Sequence, residues 1–507
     1  MSRIRVSIQK LEAEYNLANR KPLENLITAW RGIRSLPPED PNSFFAIAGF
    51  HGEPFHGPGV KDDKWSFPGC QDVTIPFLDE LWTVKNPKDN PVPLVLTNPH
   101  FAIAGKGDTS NPLCSYALQK GLKEKVTGAD NRYTNPEGYE TVRYPLSGLV
   151  GTDKDKADTL KHNSIYASSA TEKLNANVKE WLLGTVKLAD DGNPETQPAD
   201  TYSIVERFQT CLRAPKYTVF TNMASQKQAI EDAGGDPLKD HFIQSLESPH
   251  NAIHLALGGF YQEGSYNANP ILGANGDMGD NETTAFDPIF FLHHAFIDLM
   301  FWKWQKKWKK TAWDSLDVIE FYPGTVVVEG STGYPPGTLL TMNSPLYPFK
   351  NSKGGYYTPN DMVDIVNQLD YKYEEDELKG LEAAAEPEII GLAKLSKINR
   401  AKSEGSFSVL SHNNIGGCAN YQNFLDIKSY TPIDEALLKK FNGGDRNVTV
   451  TYSAAIQTRD GKLLTPPGEK GDDLPEDTVP NVEFQYWKTD IAKHTDSWDS
   501  FEEQKNT

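Results

Sequence analysis

The stretch FDPIFFLHHAFIDLMFWKWQ, residues 286–305, decides the reading of this chain, together with SPHNAIHLALGG at residues 248–259. His250 and His254 stand four residues apart, so on a helix both rings leave one face about one turn apart. Pro249 suits the first helical position after Ser248 as N-cap, and Gly258 with Gly259 ends the helix. In the second stretch Asp287 caps and Pro288 opens a helix. Residues 289–304 are apolar nearly all round, the pattern of a buried helix. That helix carries His293 and His294. One turn past His294 stands Asp298, a carboxylate placed to fix an imidazole tautomer from behind.

A lone histidine in such a helix is ordinarily a core residue with a satisfied hydrogen bond. An HxxxH pair joined to a histidine doublet favours a metal instead. Zinc peptidases also use HxxxH, but a glutamate follows the first histidine there to act as base. Here Asn251 follows, and no nearby carboxylate or thiolate completes a zinc set. All-imidazole coordination suits copper.

With those residues in view, the chain resembles the tyrosinase family of binuclear copper proteins, above all fungal members with a C-terminal shielding domain. FFAIAGFHGEPF, GYETVRYPLSGL, GANGDMGDN and INRAKSEGSF extend the likeness over most of the chain. The resemblance implies a mainly α fold: a tyrosinase/hemocyanin-like helical bundle core with a small β-rich C-terminal domain. It implies two coppers acting with O2 on phenols and o-diphenols to give o-quinones, in pigment or secondary metabolism. For the second copper it implies His250, His254 and His294, the last being the histidine four residues before the helical aspartate. For the first copper it implies His51, in GFHGEPF.

The first copper site departs from the family pattern. The family draws its other two ligands from a helix ending in Trp-His-Arg, and this chain contains no His-Arg dipeptide. After DDKWSF it passes at Pro68 to PGCQDVTIPFLDELW, which is similar to the family's segment beyond the missing helix. The excision amounts to about 30 residues, several times the usual connection length. This opens a second reading, a catalytically impaired relative with one copper. His56 lies near His51 but matches a non-ligand position. His100, His162, His241, His412 and His494 stand in polar, loop-like contexts that rarely ligate. The resemblance further implies Asn251 and Glu247 as partners of substrate or a water, and Phe290 as a wall of the pocket. In the C-terminal segment GGCANYQNF offers Cys418 alone where relatives carry a Cys-x-x-Cys linked to copper delivery.

Composition sets the frame. At 507 residues more than one domain is expected. A net charge of −18 argues against nucleic acid and against an anionic membrane surface. No run of 18 apolar residues suggests a membrane span. The start MSRIRVSIQKLEAEYN lacks the apolar region of a secretory signal. The four cysteines form no spaced framework. A cytoplasmic, reduced location is therefore expected, with phenols and O2 as small-molecule partners and a homo-oligomer left open. An amphipathic helix is expected over residues 22–33, ended by Pro37 and Pro38. Tyr371 and Tyr373 resemble the motif closing the family's core, which places a core domain at 1–373. The next stretch, acidic and Ala-rich, reads as a linker, 374–400. Alternation in NVTVTYSAAI and NVEFQYW then gives a β-rich domain at 401–507. The acidic GANGDMGDNET does not fit an EF-hand and is expected to be an ordered loop.

Overall fold

The computed structural model describes residues 3–51, 74–107, 109–122, 135–148, 152–185, 203–232, 244–259, 276–281, 283–327, 334–347, 349–351 and 353–374. Beyond these it describes six short strands. The helices in chain order are α1 (Ile8–Asn16), α2 (Lys21–Arg34), α3 (Phe44–Ala48), α4 (Trp82–Lys85), α5 (Asp153–Tyr166), α6 (Ala170–Leu183), α7 (Ile204–Cys211), α8 (Tyr217–Thr221), α9 (Met223–Asp232), α10 (Glu247–Gly258) and α11 (Ile289–Trp308). The core is mainly α, as expected. α2 contains the amphipathic stretch read from the sequence and buries Leu23, Leu26, Ile27 and Trp30 on one face.

The strand β1 (Arg3–Arg5) pairs in parallel with β2 (Tyr371–Tyr373). Their meeting point is Asp298 on α11. Its Oδ2 accepts from Tyr371 Oη at 2.8 Å, Tyr373 Oη at 2.5 Å and Arg5 Nη1 at 3.1 Å. Asp298 therefore fastens the two ends of the core. It does not orient an imidazole, which corrects the role its spacing suggested. A side chain one turn along a helix shares a histidine's face only approximately, and here that face turns toward the strands.

Past the core, β3 (Ile389–Ala393) pairs antiparallel with β4 (Thr431–Pro432) and with β8 (Phe484–Lys488). A second sheet joins β5 (Ile456–Gln457), β6 (Leu463–Thr465) and β7 (Asp472–Asp473). β3 lies inside the span read as a linker, so sheet pairing begins before residue 401. β8 falls within NVEFQYW and its next residue, and β5 at the end of NVTVTYSAAI and just beyond. No helix among the described residues is long and apolar enough to cross a membrane.

α11 is the central element. Leu292, Phe296, Leu299, Met300 and Trp304 are each at most 1 % exposed. The Trp304 ring stacks on Phe220 at 4.7 Å, and its Nε1 donates to Ala214 O at 2.7 Å. At the other end Asp287 accepts from the Ile289 N–H at 3.0 Å, so it caps the helix as expected. The same carboxylate receives both arms of the buried Arg143 guanidinium, at 2.6 and 2.7 Å. A two-pronged ion pair of this kind fixes orientation as well as position.

α10 begins at Glu247, earlier than the Ser248 cap expected from sequence, because Leu246 already has helical backbone angles. It ends where expected, at Gly259 with φ of +84°. α10 packs on α6, on α7 and on the turn Asp277–Gly279. That last contact is very close. A Cβ on Gly258 would stand 2.0 Å from the Gly279 nitrogen, so only glycine fits. The turn belongs to GANGDMGDN, whose described residues from Gly276 onward form an ordered loop.

Candidate metal centre

Two helices bring four histidines together. His250 and His254 come from successive turns of α10, and His293 and His294 from α11. Each offers one ligating nitrogen, and these atoms lie within 4.8 Å of one another. Among the described residues no other group of three or more His, Cys, Asp or Glu side chains is so arranged. The Nε2 of His250 stands 3.2 Å from that of His254 and 3.3 Å from that of His294. Nitrogens held at about 2.0–2.1 Å from one first-row metal lie about 3.3–3.6 Å apart in tetrahedral or trigonal arrangements. The HxxxH pair and His294, the third ligand that the resemblance implied, thus meet at His250 with separations one ion can bridge.

Oxygen acceptors on the far side of two of the rings favour the tautomer protonated at Nδ1. His254 Nδ1 donates to Met278 O at 2.8 Å, with Thr284 Oγ1 alongside at 3.2 Å. His250 Nδ1 donates to Asn251 Oδ1 at 2.8 Å. Each Nε2 is then left with a lone pair, and two such lone pairs face each other at 3.2 Å. That arrangement is unfavourable unless a cation lies between them. Burial holds all the rings neutral. It lowers His250 to about 4, and lowers His254, His293 and His294 well below the ordinary range, with neighbouring imidazoles adding to the effect. Four neutral imidazoles without a carboxylate among the donors fit copper.

The other residues marked by sequence fall around this cluster. Phe290 packs its ring 4.0 Å from His294, and His51 meets Phe290 edge-on at 4.7 Å. The His51 ring centre is 6.0 Å from that of His294, on an exposed turn after α3. Glu247, at the first turn of α10, accepts from the Met223 N–H at 2.8 Å. Burial raises its carboxyl above the ordinary range against the pull of Met223 and Asn251. Asn251 is 1 % exposed and serves His250 directly. His162 departs from its expected polar, loop-like setting. It lies on α5, fully buried, with Nε2 on Pro145 O at 2.8 Å. His56, His241, His412, His494 and Cys418, and the junction at Pro68, lie outside the described residues.

Two further side chains adjoin the cluster: His293, which the family motif set aside in favour of His294, and Glu80, which the sequence did not mark. His293 is completely buried, and its Nδ1 bonds Glu80 Oε1. Its Nε2 is buried without a hydrogen-bond partner. Glu80 reaches it because residues 74–81 are laid along α11: the Leu78 N–H donates to Leu292 O at 3.0 Å. Gln9 grips the same segment, donating to Asp79 O and accepting from the Asp79 N–H, both at 3.0 Å. Burial first, then Asp79, raises the Glu80 carboxyl well above the ordinary range. A nearby cation would reverse that preference. The doublet itself was the only sequence signal for His293, and nothing local marked Glu80.

Comparison with known proteins accords with this geometry. The family model for the common central domain of tyrosinase matches residues 60–307. The tyrosinase HcTyr2 of a Hahella species is 38% identical over 499 residues, covering 85% of this chain and 88% of that protein. A tyrosinase of Aspergillus oryzae is 34% identical over 492 residues, covering 82% and 87%. Among solved structures, a tyrosinase from Burkholderia thailandensis superposes with a TM-score of 0.64 at 34% identity, over 85% of this chain and 91% of that one. With that likeness running along most of its length, the chain belongs to the tyrosinase family.

Proposed function

We propose that this chain is a copper-dependent oxidoreductase of the tyrosinase type, taking phenols or o-diphenols to o-quinones with O2. The observation that carries the reading is the His250 Nε2 atom, 3.2 Å from that of His254 and 3.3 Å from that of His294, with the Nδ1 atoms of His250 and His254 turned to oxygen acceptors. Copper at these rings supplies the redox chemistry that imidazole and carboxylate side chains lack. The protein's own residues orient and protect. Phe290 excludes water on the His294 side and offers a flat apolar wall to an aromatic ring. Asn251 fixes the His250 tautomer. Glu247, raised above the ordinary carboxyl range, is placed to hold a proton at Oε1 while Oε2 stays on Met223. Residues 1–373 would form this catalytic core, with 401–507 as a β-rich cover.

A second reading is favoured by one observation. Among the described residues only one metal-capable cluster exists, and His51 is an exposed neighbour of it. The Trp-His-Arg stretch that would complete a second site is missing from the sequence. On this reading the chain holds one copper and oxidises phenols poorly. Copper content per chain, measured with O2 uptake on catechol, separates the two. Two coppers and uptake abolished by His294→Ala establish the oxidase. One copper and uptake no greater than in His294→Ala establish the single-copper protein. Failure to retain copper sinks both.

A further inference from the structure

We infer that Phe50 and Phe349 form an aromatic ledge beside the open side of the metal centre, which takes an apolar or aryl group carried by the phenol opposite its hydroxyl. This rests on the reading that phenols are oxidised at the cluster, and it narrows the substrate class to phenols bearing such a group. The cluster is closed on one side only. His254 and His293 are buried, whereas His250 and His294 are partly exposed. His51 stands by His294, ring centres 6.0 Å apart, and is itself exposed. The residue before it is Phe50, whose ring centre lies 6.0 Å from that of Phe349 with the planes inclined at 44°. Phe349 remains 39 % exposed. Ring contacts and one peptide link therefore join Phe349 at the surface to His294 at the cluster.

A single exposed aromatic side chain is ordinary on a protein surface. Two rings brought together from segments about 300 residues apart, next to the accessible side of a polar centre, form an apolar step where a ligand enters. The pair is tilted rather than stacked, and tilted or edge-on contact is the geometry in which a third ring joins two others. Both rings sit on tied backbone. The Phe50 and His51 N–H groups donate to Ile47 O and Ala48 O at 3.2 and 3.1 Å, closing the turn after α3. The Phe349 N–H donates to Leu346 O at 2.8 Å, and its carbonyl accepts from the Tyr357 N–H at 2.9 Å. A wall held in this way need not be ordered by the ligand, so its contact is expressed in affinity.

The test uses the copper-loaded full chain, reduced and kept under argon, so that binding is read without turnover. Saturation-transfer nuclear magnetic resonance titrations compare 4-benzylcatechol with catechol. We expect wild type to bind 4-benzylcatechol about tenfold or more tightly than catechol, and Phe349→Ala to cut that ratio at least about threefold, the scale of one aromatic contact. Phe349→Tyr keeps the ring and should keep the ratio. Trp313→Ala removes an exposed ring beyond the far end of α11 and should also leave the ratio as it is. Equal affinity for the two catechols in wild type overturns the ledge without any variant. An unchanged ratio in folded Phe349→Ala overturns it as well. O2 uptake on the same catechols separates this inference from the oxidase reading. A ratio that depends on Phe349 without O2 uptake leaves the ledge standing and sinks the oxidase. O2 uptake with a ratio indifferent to Phe349 does the reverse.

Discussion

His254 shows how neighbours set the tautomer and direction of a ring. Its Nδ1–H is held by Met278 O, and Met278 is held by the approach of Gly258 to Gly279. A methyl at Gly258 would fall 2.0 Å from the Gly279 nitrogen and 2.6 Å from its Cα, a clash with backbone that no rotamer relieves. Gly258→Ala should therefore push the turn away and release His254. The expected outcome is a loss of about 1–3 kcal/mol of stability in denaturant melts, the usual range for overpacking. Copper should bind about tenfold more weakly, as for other losses behind a ligand. Wild-type affinity in a folded Gly258→Ala protein would show that Met278 does not position the ring. The sequence made this glycine legible only as a helix end. Its close approach to Gly279 comes from residues 21 positions away along the chain. Asp298 and Glu80 teach the same lesson in opposite directions. Spacing along α11 suggested Asp298 as the carboxylate behind an imidazole, yet Glu80, 213 residues from His293, takes that place. Helical periodicity reports which residues share a face, not which distant segment lies against it.

The two site helices were legible for different reasons. α11 is apolar all round over most of its 20 residues, and Asp287 and Pro288 mark its start, so its existence and burial followed from pattern alone. α10 was legible through HxxxH and its glycines, but its start lay earlier than Ser248. Leu246 carries no capping side chain, and tertiary packing decides the boundary. What no local pattern could give is the clamp that sets α11 in place. Arg143 reaches Asp287 across 144 residues and also donates to Leu96 O and Leu113 O. Breaking such a buried pair from one side strands a charge. Asp287→Ala should cost about 3–5 kcal/mol, and Arg143→Met with Asp287→Leu together should cost much less than either change alone suggests. Urea melts of the singles and the double decide this. A single variant within about 1 kcal/mol of wild type, on the scale of an exposed pair, would mean the clamp is dispensable.

Across the whole molecule, buried titrating groups make stability depend on pH in two opposing ways. His250 titrates near 4 when folded against an ordinary 6.5, so below 6.5 the unfolded chain takes up a proton that the folded chain refuses. Stability from this ring falls as pH falls through that window. Asp277 behaves oppositely. Burial raises it to about 7 from 3.8, despite its bonds from the Val142 N–H and Tyr139 Oη, so the folded chain holds a proton that the unfolded chain has lost. Its contribution falls as pH rises through that window. In metal-free protein, the stability of wild type relative to His250→Gln should shrink between about pH 7 and 4.5. Relative to Asp277→Asn it should grow over the same range. Parallel profiles for all three proteins would contradict both assignments.

The central claim is one ion held between α10 and α11. Diffraction from copper-loaded crystals, with data collected on either side of the copper absorption edge, locates that ion without reference to activity. The account predicts an anomalous peak about 2.0–2.1 Å from the Nε2 atoms of His250, His254 and His294. A peak elsewhere on the chain, or fully loaded crystals with none between these helices, would contradict it.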